Sequence, residues 1–307
     1  MSEADATVAD TREERPGRTG QGTARQAAPV KADPDGRHWR SLGPAVPGLL
    51  FLAIVFLLPV FGVFLRGVTD PVFGLQNYAE LLGSGTFYDI LGNTFLVAIL
   101  VTIFSILLGF PVAWLITIAP GRIARIIFAV VLLSMWTSLL ARTYAWLVLL
   151  QNSGVINKML VASGIVDQPI AMVNNLVGIV IGMTYIMIPF IVLPLKTSMA
   201  AIDKTVLQAA SVCGARAPVV FARVFLPLVA PGLTAGGTMV FVMSLGYYVT
   251  PALLGSTRNM MLAEYIVQQV LNYLEWGIGG AAAVILLVIT LAIYLPVLGF
   301  QRNTAST

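Results

Sequence analysis

Cysteine and histidine are almost absent from this sequence of 307 residues. Cys213 is the single cysteine and His38 the single histidine. An intrachain disulfide and a Cys/His metal cluster are therefore excluded by count. A Ser-His-Asp or Cys-His catalytic set in the body of the chain is excluded too, because His38 lies in the polar N-terminal stretch. Charge is scarce: 10% of residues are charged, against about 25% in a soluble globular domain. What charge exists is crowded at one end, since residues 1–43 hold seven of the 18 Lys and Arg and seven of the 14 Asp and Glu. The net charge of +4 indicates no nucleic-acid partner; orientation in a membrane accounts for it. The first 30 residues lack the short apolar core of a signal peptide. Residues 1–43 read as a disordered cytoplasmic tail.

What the sequence has in abundance is apolar length: 58% of its residues are hydrophobic. A bilayer core takes about 20 apolar residues per helix. Six stretches meet that requirement, at about 44–65, 94–119, 126–150 (interrupted by Arg142), 176–195, 232–254 and 279–300. The expected fold is thus all-α and integral to the membrane, with six transmembrane helices over 44–300 and a short C-terminal tail at 301–307. One set of loops carries Arg122, Arg125, Lys196, Lys204, Arg216, Arg223 and Arg302, while the opposite set carries only Arg66, Lys158 and Arg258. Positive residues stay inside, so both termini and the basic loops are expected in the cytoplasm. Pro59, Pro111, Pro189 and Pro194 read as bends within spans. The outer segment from Arg258 to Trp276 has helical apolar spacing and reads as a packed amphipathic helix.

The loop at about 196–230 is longer than a turn between two spans requires. Asp203 can cap a short helix starting near Lys204. Gly214 can end it in the left-handed conformation common after helices. A second short helix is expected at about 218–225, stopping at Pro227 and Pro231. Two short helices projecting from a membrane bundle suggest a docking element.

The run Gln208-Ala209-Ala210, three residues, Gly214, nine residues, Val224-Phe225-Leu226-Pro227 resembles the EAA loop of binding-protein-dependent ABC importer permeases. That pattern reads Glu-Ala-Ala, three residues, Gly, nine residues, Ile, any residue, Leu-Pro. Val224 stands for Ile and Gln208 for Glu. Further runs are similar to the spermidine/putrescine-type permeases: Gly74–Tyr78, Trp136-Thr137-Ser138, Arg142–Trp146 and Tyr247–Gly255. The resemblance covers about 44–300.

It implies a type I importer permease whose coupling helix docks on a separate ATPase. Gln208, Ala209, Ala210, Gly214, Val224, Leu226 and Pro227 would form the docking loop. A second permease subunit and an extracytoplasmic solute-binding protein are implied partners, within a bacterial inner membrane, and the implied solute is a polyamine. No cofactor belongs to this chain, which has no GxxxxGK[ST] phosphate loop; ATP would be bound by the separate subunit. Arg142, Trp136, Tyr247 and Tyr248 are candidate substrate-path or gate residues, and an arginine in a span should face protein, water or an interface. Alternatives are a permease for another small organic solute or iron, and an ion-coupled carrier, which usually buries ionisable residues. A membrane-embedded enzyme finds no catalytic set in spans without Asp, Glu, His or Cys.

Overall fold

The computed structural model describes residues 46–305, so the expected N-terminal tail lies outside the described residues. The chain divides into two compact units, Met1–Leu52 and Ala53–Thr307. Of the first, only the start of helix α1 (Val46–Thr69) is described.

The elements of the second unit are all helical among the described residues. After α1 come a short outer helix α2 (Gln76–Gly83) and the long α3 (Gly85–Ile118). The pair α4 (Gly121–Trp136) and α5 (Leu139–Leu150) follows, then the short α6 (Val155–Ala162) and α7 (Leu176–Ala200). Helix α8 (Lys204–Val212) and one turn, α9 (Ala217–Val220), lead through a π turn, Phe221–Phe225, into α10 (Leu226–Leu245). The chain ends with α11 (Val249–Leu254), α12 (Leu262–Leu271) and α13 (Trp276–Ala305). Five of these helical stretches are long and apolar enough to cross a membrane, and a sixth is added if the bent pair α4 and α5–α6 forms one span. The exposed apolar side chains along them, such as Phe56, Leu58 and Leu107, suit lipid rather than water.

The core lies where α3, α7 and α10 meet. Val97 and Val101 of α3, Met183, Met187 and Ile191 of α7, and Val240 of α10 are fully buried there. Small residues let the helices approach. A methyl group on Gly236 would sit 2.7 Å from Ile191 Cδ1, and one on Gly109 would collide with Ile191 Cγ2. Ile191 is thus clamped between two glycines, and close packing of this kind holds membrane helices together where no hydrophobic effect acts between them.

Two expectations need correction. The third span, expected as one helix over 126–150, is broken at Thr137–Ser138 and bent by 102°. Both residues leave the helical conformation, with ψ of 145° at Thr137 and 132° at Ser138, and Thr137 Oγ1 donates to the Ser134 carbonyl at 2.8 Å. Such local bonds compete with the helical ladder. The second loop helix, expected to stop at Pro227, instead continues into the fifth span. The Leu226 amide donates to the Phe221 carbonyl. That wide π turn comes directly before Pro227, which has no amide hydrogen and whose ring crowds the preceding turn of an α-helix. Pro189 and Pro194 both lie within helix α7.

Candidate functional site

Helix α8 begins and ends as its residues dictate. The Asp203 carboxylate accepts from the Thr205 amide at 2.9 Å and satisfies one free donor of the first turn. The backbone and side-chain hydrogen bonds from Thr205 hold the Asp203 carboxyl below its ordinary value. At the other end Gly214 has φ +79°. Its amide donates to the Ser211 carbonyl at 3.0 Å, and the Ala215 amide to the Ala210 carbonyl at 3.2 Å. These two bonds make a Schellman motif, which closes the helix and turns the chain.

The helix presents two faces. Leu207 and Ser211 line a cavity of about 740 Å³ beneath it. Gln208, Ala209 and Val212 are exposed on the opposite side, Val212 by 88%; Val212 lies four residues from Gln208 and three from Ala209, spacings that share a helix face. A nine-residue helix with an uncovered apolar face is too short to stand alone in water. Of the remaining docking-loop candidates, Ala210 is half-buried and Gly214 exposed, whereas Val224 sits partly buried in the π turn with Leu226 and Pro227 exposed beyond it. Helix α8 packs against α9 and the π turn, so the two halves of the motif are joined in one unit.

The candidate path residues separate into two groups. Arg142 lies in the first turns of α5, just past the break. Its Nε is buried without a hydrogen-bond partner among the described residues. Tyr247 is close enough to Arg142 and Thr250 for both to act on its hydroxyl. Thr250 Oγ1 is also 3.4 Å from Thr143 Oγ1. Arg142 and Tyr247 therefore belong to one polar cluster joining α5 to the start of α11. Trp136 is 88% exposed at the end of α4 and Tyr248 is 43% exposed; neither joins that cluster. Beside α5, Trp146 meets Tyr185 edge-on at 5.6 Å. Both line an apolar groove of about 500 Å³ with Leu100, Phe104 and Ile188.

Glu264 of α12 is a carboxylate held within the packed bundle. It is 9% exposed. Burial raises its carboxyl above the ordinary value, opposed in part by a hydrogen bond from the Met261 amide. Met261 is the N-cap of α12 and Glu264 the third helical residue, the position from which a carboxylate reaches back toward an N-cap amide. The same helix start is tied to α3, where Thr94 Oγ1 accepts from the Leu262 amide at 2.8 Å and Asn93 Nδ2 donates to the Arg258 carbonyl at 2.9 Å. The outer amphipathic segment is thus packed into the bundle, as its spacing suggested.

No family model matches the chain. Individual proteins do. The spermidine/putrescine transport system permease protein PotB of Escherichia coli (strain K12) is 30% identical over 251 residues, which is 82% of this chain and 90% of that protein. The chain belongs to the spermidine/putrescine-type family of ABC importer permeases. The inner membrane ABC transporter permease protein YdcU of Escherichia coli (strain K12) is 33% identical over 207 residues, 64% of this chain and 66% of that protein. The crystal structure of a bacterial alginate ABC transporter, in complex with an alginate pentasaccharide-bound periplasmic protein, aligns with a TM-score of 0.71. The match covers 88% of this chain and 96% of that one at 19% identity, and it establishes the fold. The chain is therefore a non-catalytic, multi-pass transmembrane subunit of an ABC importer in a bacterial inner membrane.

Proposed function

We propose that this permease passes a polyamine inward, paired with a second permease subunit, supplied by an extracytoplasmic solute-binding protein and driven by a separate ATPase that binds the ATP. The observation that carries the coupling part is the capped helix α8, with Gln208, Ala209 and Val212 exposed along one face and Gly214 turning the chain at its end. In this reading α8 seats in a cleft of the ATPase. Ala209 allows close approach, and Gln208 donates or accepts a hydrogen bond where the family pattern has a carboxylate. Movement of the ATPase then reaches the bundle as rigid-body rocking, because α8 is packed on α9 and the π turn that begins the fifth span. Val224, Leu226 and Pro227 act as that rigid joint. The loop and both termini face the cytoplasm, following the bias of Lys and Arg.

The polyamine assignment rests on the named substrate of the relatives, and the Arg142–Tyr247 cluster is its gate: a fixed cation slows a polycation until the bundle rearranges. One observation favours a second reading. Arg142 Nε has no partner among the described residues, and a solute bearing a carboxylate or phosphonate would supply one.

The direct test uses the only cysteine. Cys213 is exposed at the end of α8. Docking should slow its labelling by a maleimide in the complex relative to the permease alone, and the purified complex should take up labelled spermidine when the binding protein and ATP are present. Equal labelling with and without a bound ATPase would refute the dock. Uptake of an anionic solute but not spermidine would favour the second reading.

A further inference from the structure

The cavity of about 740 Å³ under α8 is lined by Trp114 and Ile118 of α3, Lys196 of α7, Leu207 and Ser211 of α8, and Phe221 of the π turn. Three of its walls are aromatic or aliphatic side chains that also reach the outer surface: Trp114 is 43% exposed, Ile118 63% and Phe221 39%. These residues belong to helices long and apolar enough to cross a membrane, so their exposed faces place the rim of the cavity where lipid lies at the end of the spans. Trp114 at that level matches the preference of tryptophan for the membrane interface.

Lys196 is the one charged residue among the lining side chains. Its Nζ sits 3.7 Å from the Phe128 ring centroid. A ring face satisfies a cation only in part, because the ammonium has three donors. The surrounding loop adds Lys204, Arg216 and Arg223 against the single carboxylate of Asp203. A largely apolar slot beside the bilayer, with one lysine in its lining and a basic loop next to it, matches an anionic amphiphile: the tail fills the slot and the head group meets Lys196.

We propose that this cavity holds one acyl chain of an anionic phospholipid from the inner leaflet, with its phosphate on Lys196, wedged between α8 and the α3–α7 core. This rests on the proposed cytoplasmic placement of the loop. The lipid would act as packing under the docking helix, so that α8 transmits motion to the bundle without collapsing into the space below it.

The test is made on the intact importer complex in nanodiscs containing equal phosphatidylglycerol and phosphatidylcholine, followed by native mass spectrometry. Wild type should retain phosphatidylglycerol over phosphatidylcholine by about fivefold, the ratio that one lysine–head-group contact supports. Lys196→Gln should lose the preference and Lys196→Arg should keep it. An Ile118→p-benzoylphenylalanine variant should photocrosslink lipid. No head-group preference in wild type, an unchanged preference in Lys196→Gln, or crosslinks from position 118 to the ATPase or to another permease subunit would each overturn the proposal. Co-purification of the ATPase, scored in the same samples, separates the outcomes: its loss from wild type refutes the docking reading, whereas its presence without lipid selectivity refutes this one.

Discussion

A substitution series at Gly214 separates backbone geometry from bulk. Gly214 has φ +79°, and no heavy atom lies within 4 Å of where a Cβ would sit. The cost of a side chain is therefore conformational and not steric. A non-glycine residue held in this left-handed region loses roughly 1–2 kcal/mol, and asparagine suffers least because its short amide bonds locally. A β-branched residue fares worst. Helix α8 has nine residues, too few to be stable without its caps. A loss of about 1–2 kcal/mol lowers the population of the closed helix end by about 5–30-fold. Uptake and the ratio of transport to ATP hydrolysis should therefore fall in the order Gly214→Asn, Gly214→Ala, Gly214→Val, with Gly214→Asn near wild type. Proteoliposomes containing the whole importer measure both quantities, and maleimide labelling of the neighbouring Cys213 reports how far the helix end has opened. If Gly214→Asn were as damaging as Gly214→Val, bulk at an interface would be responsible and the reasoning from φ would be wrong. If Gly214→Val transported normally, the Schellman turn would have no part in coupling.

Other consequences can be checked on the same purified complex. Thr94→Val should lower stability by about 1–3 kcal/mol, because it leaves the buried Leu262 amide without its acceptor; a shift in the thermal unfolding midpoint in detergent reads this, and no shift would mean that α12 is held by other contacts. Gly236→Ala should destabilise by about 1–3 kcal/mol through overpacking against Ile191 Cδ1. Adding Ile191→Val, which removes that methyl, should recover part of the loss, and additive damage in the double variant would refute the clamp. The carboxyl of Glu264 is raised by burial in the folded protein. Its ionisation therefore disfavours folding, with no penalty below the ordinary carboxylate range and a penalty that grows as pH rises to its raised value and is constant above it. Between wild type and Glu264→Gln, the difference in unfolding midpoint should widen in favour of Gln from acid to neutral pH; a flat difference would contradict the burial. Arg142→Gln should change solute selectivity or the rate of uptake more than thermal stability, with Arg142→Lys intermediate; equal uptake in all three would remove Arg142 from the path.

The features that could be read from the sequence are those whose cause is local. A long apolar run is its own signal, and five of the six expected spans correspond to helices that meet the length and hydropathy of a crossing. Asp203 and Gly214 could be assigned to the two ends of α8 because capping depends on a few neighbouring residues. The break at Thr137–Ser138 was hidden for the converse reason. Apolar residues continue on both sides, and hydropathy does not register that a threonine side chain can take over a backbone acceptor. Pro227 misled in a related way: a proline need not end a helix, and here the π turn at Phe221–Phe225 leads through it into the fifth span.

Non-local chemistry was less accessible. The Arg142–Tyr247 cluster joins residues from separate helices, and only the folded chain shows that Trp136 and Tyr248 stand apart from it. Glu264 left one clue, its position three residues after Met261, where a capping-box carboxylate belongs; its burial followed only from the packing of α12 against α13 and α3. The cavity under α8 draws its walls from four segments, so no window of sequence contains it. The Ala, Gly and Leu-Pro positions of the proposed docking loop fall in a helix, a turn and the start of the fifth span, features that rest on backbone geometry. A Gln can therefore replace the motif's Glu at position 208 while that geometry is kept, because an exposed ion pair contributes only about 0–1 kcal/mol, whereas the loss of the turn at Gly214 would misplace the whole helix.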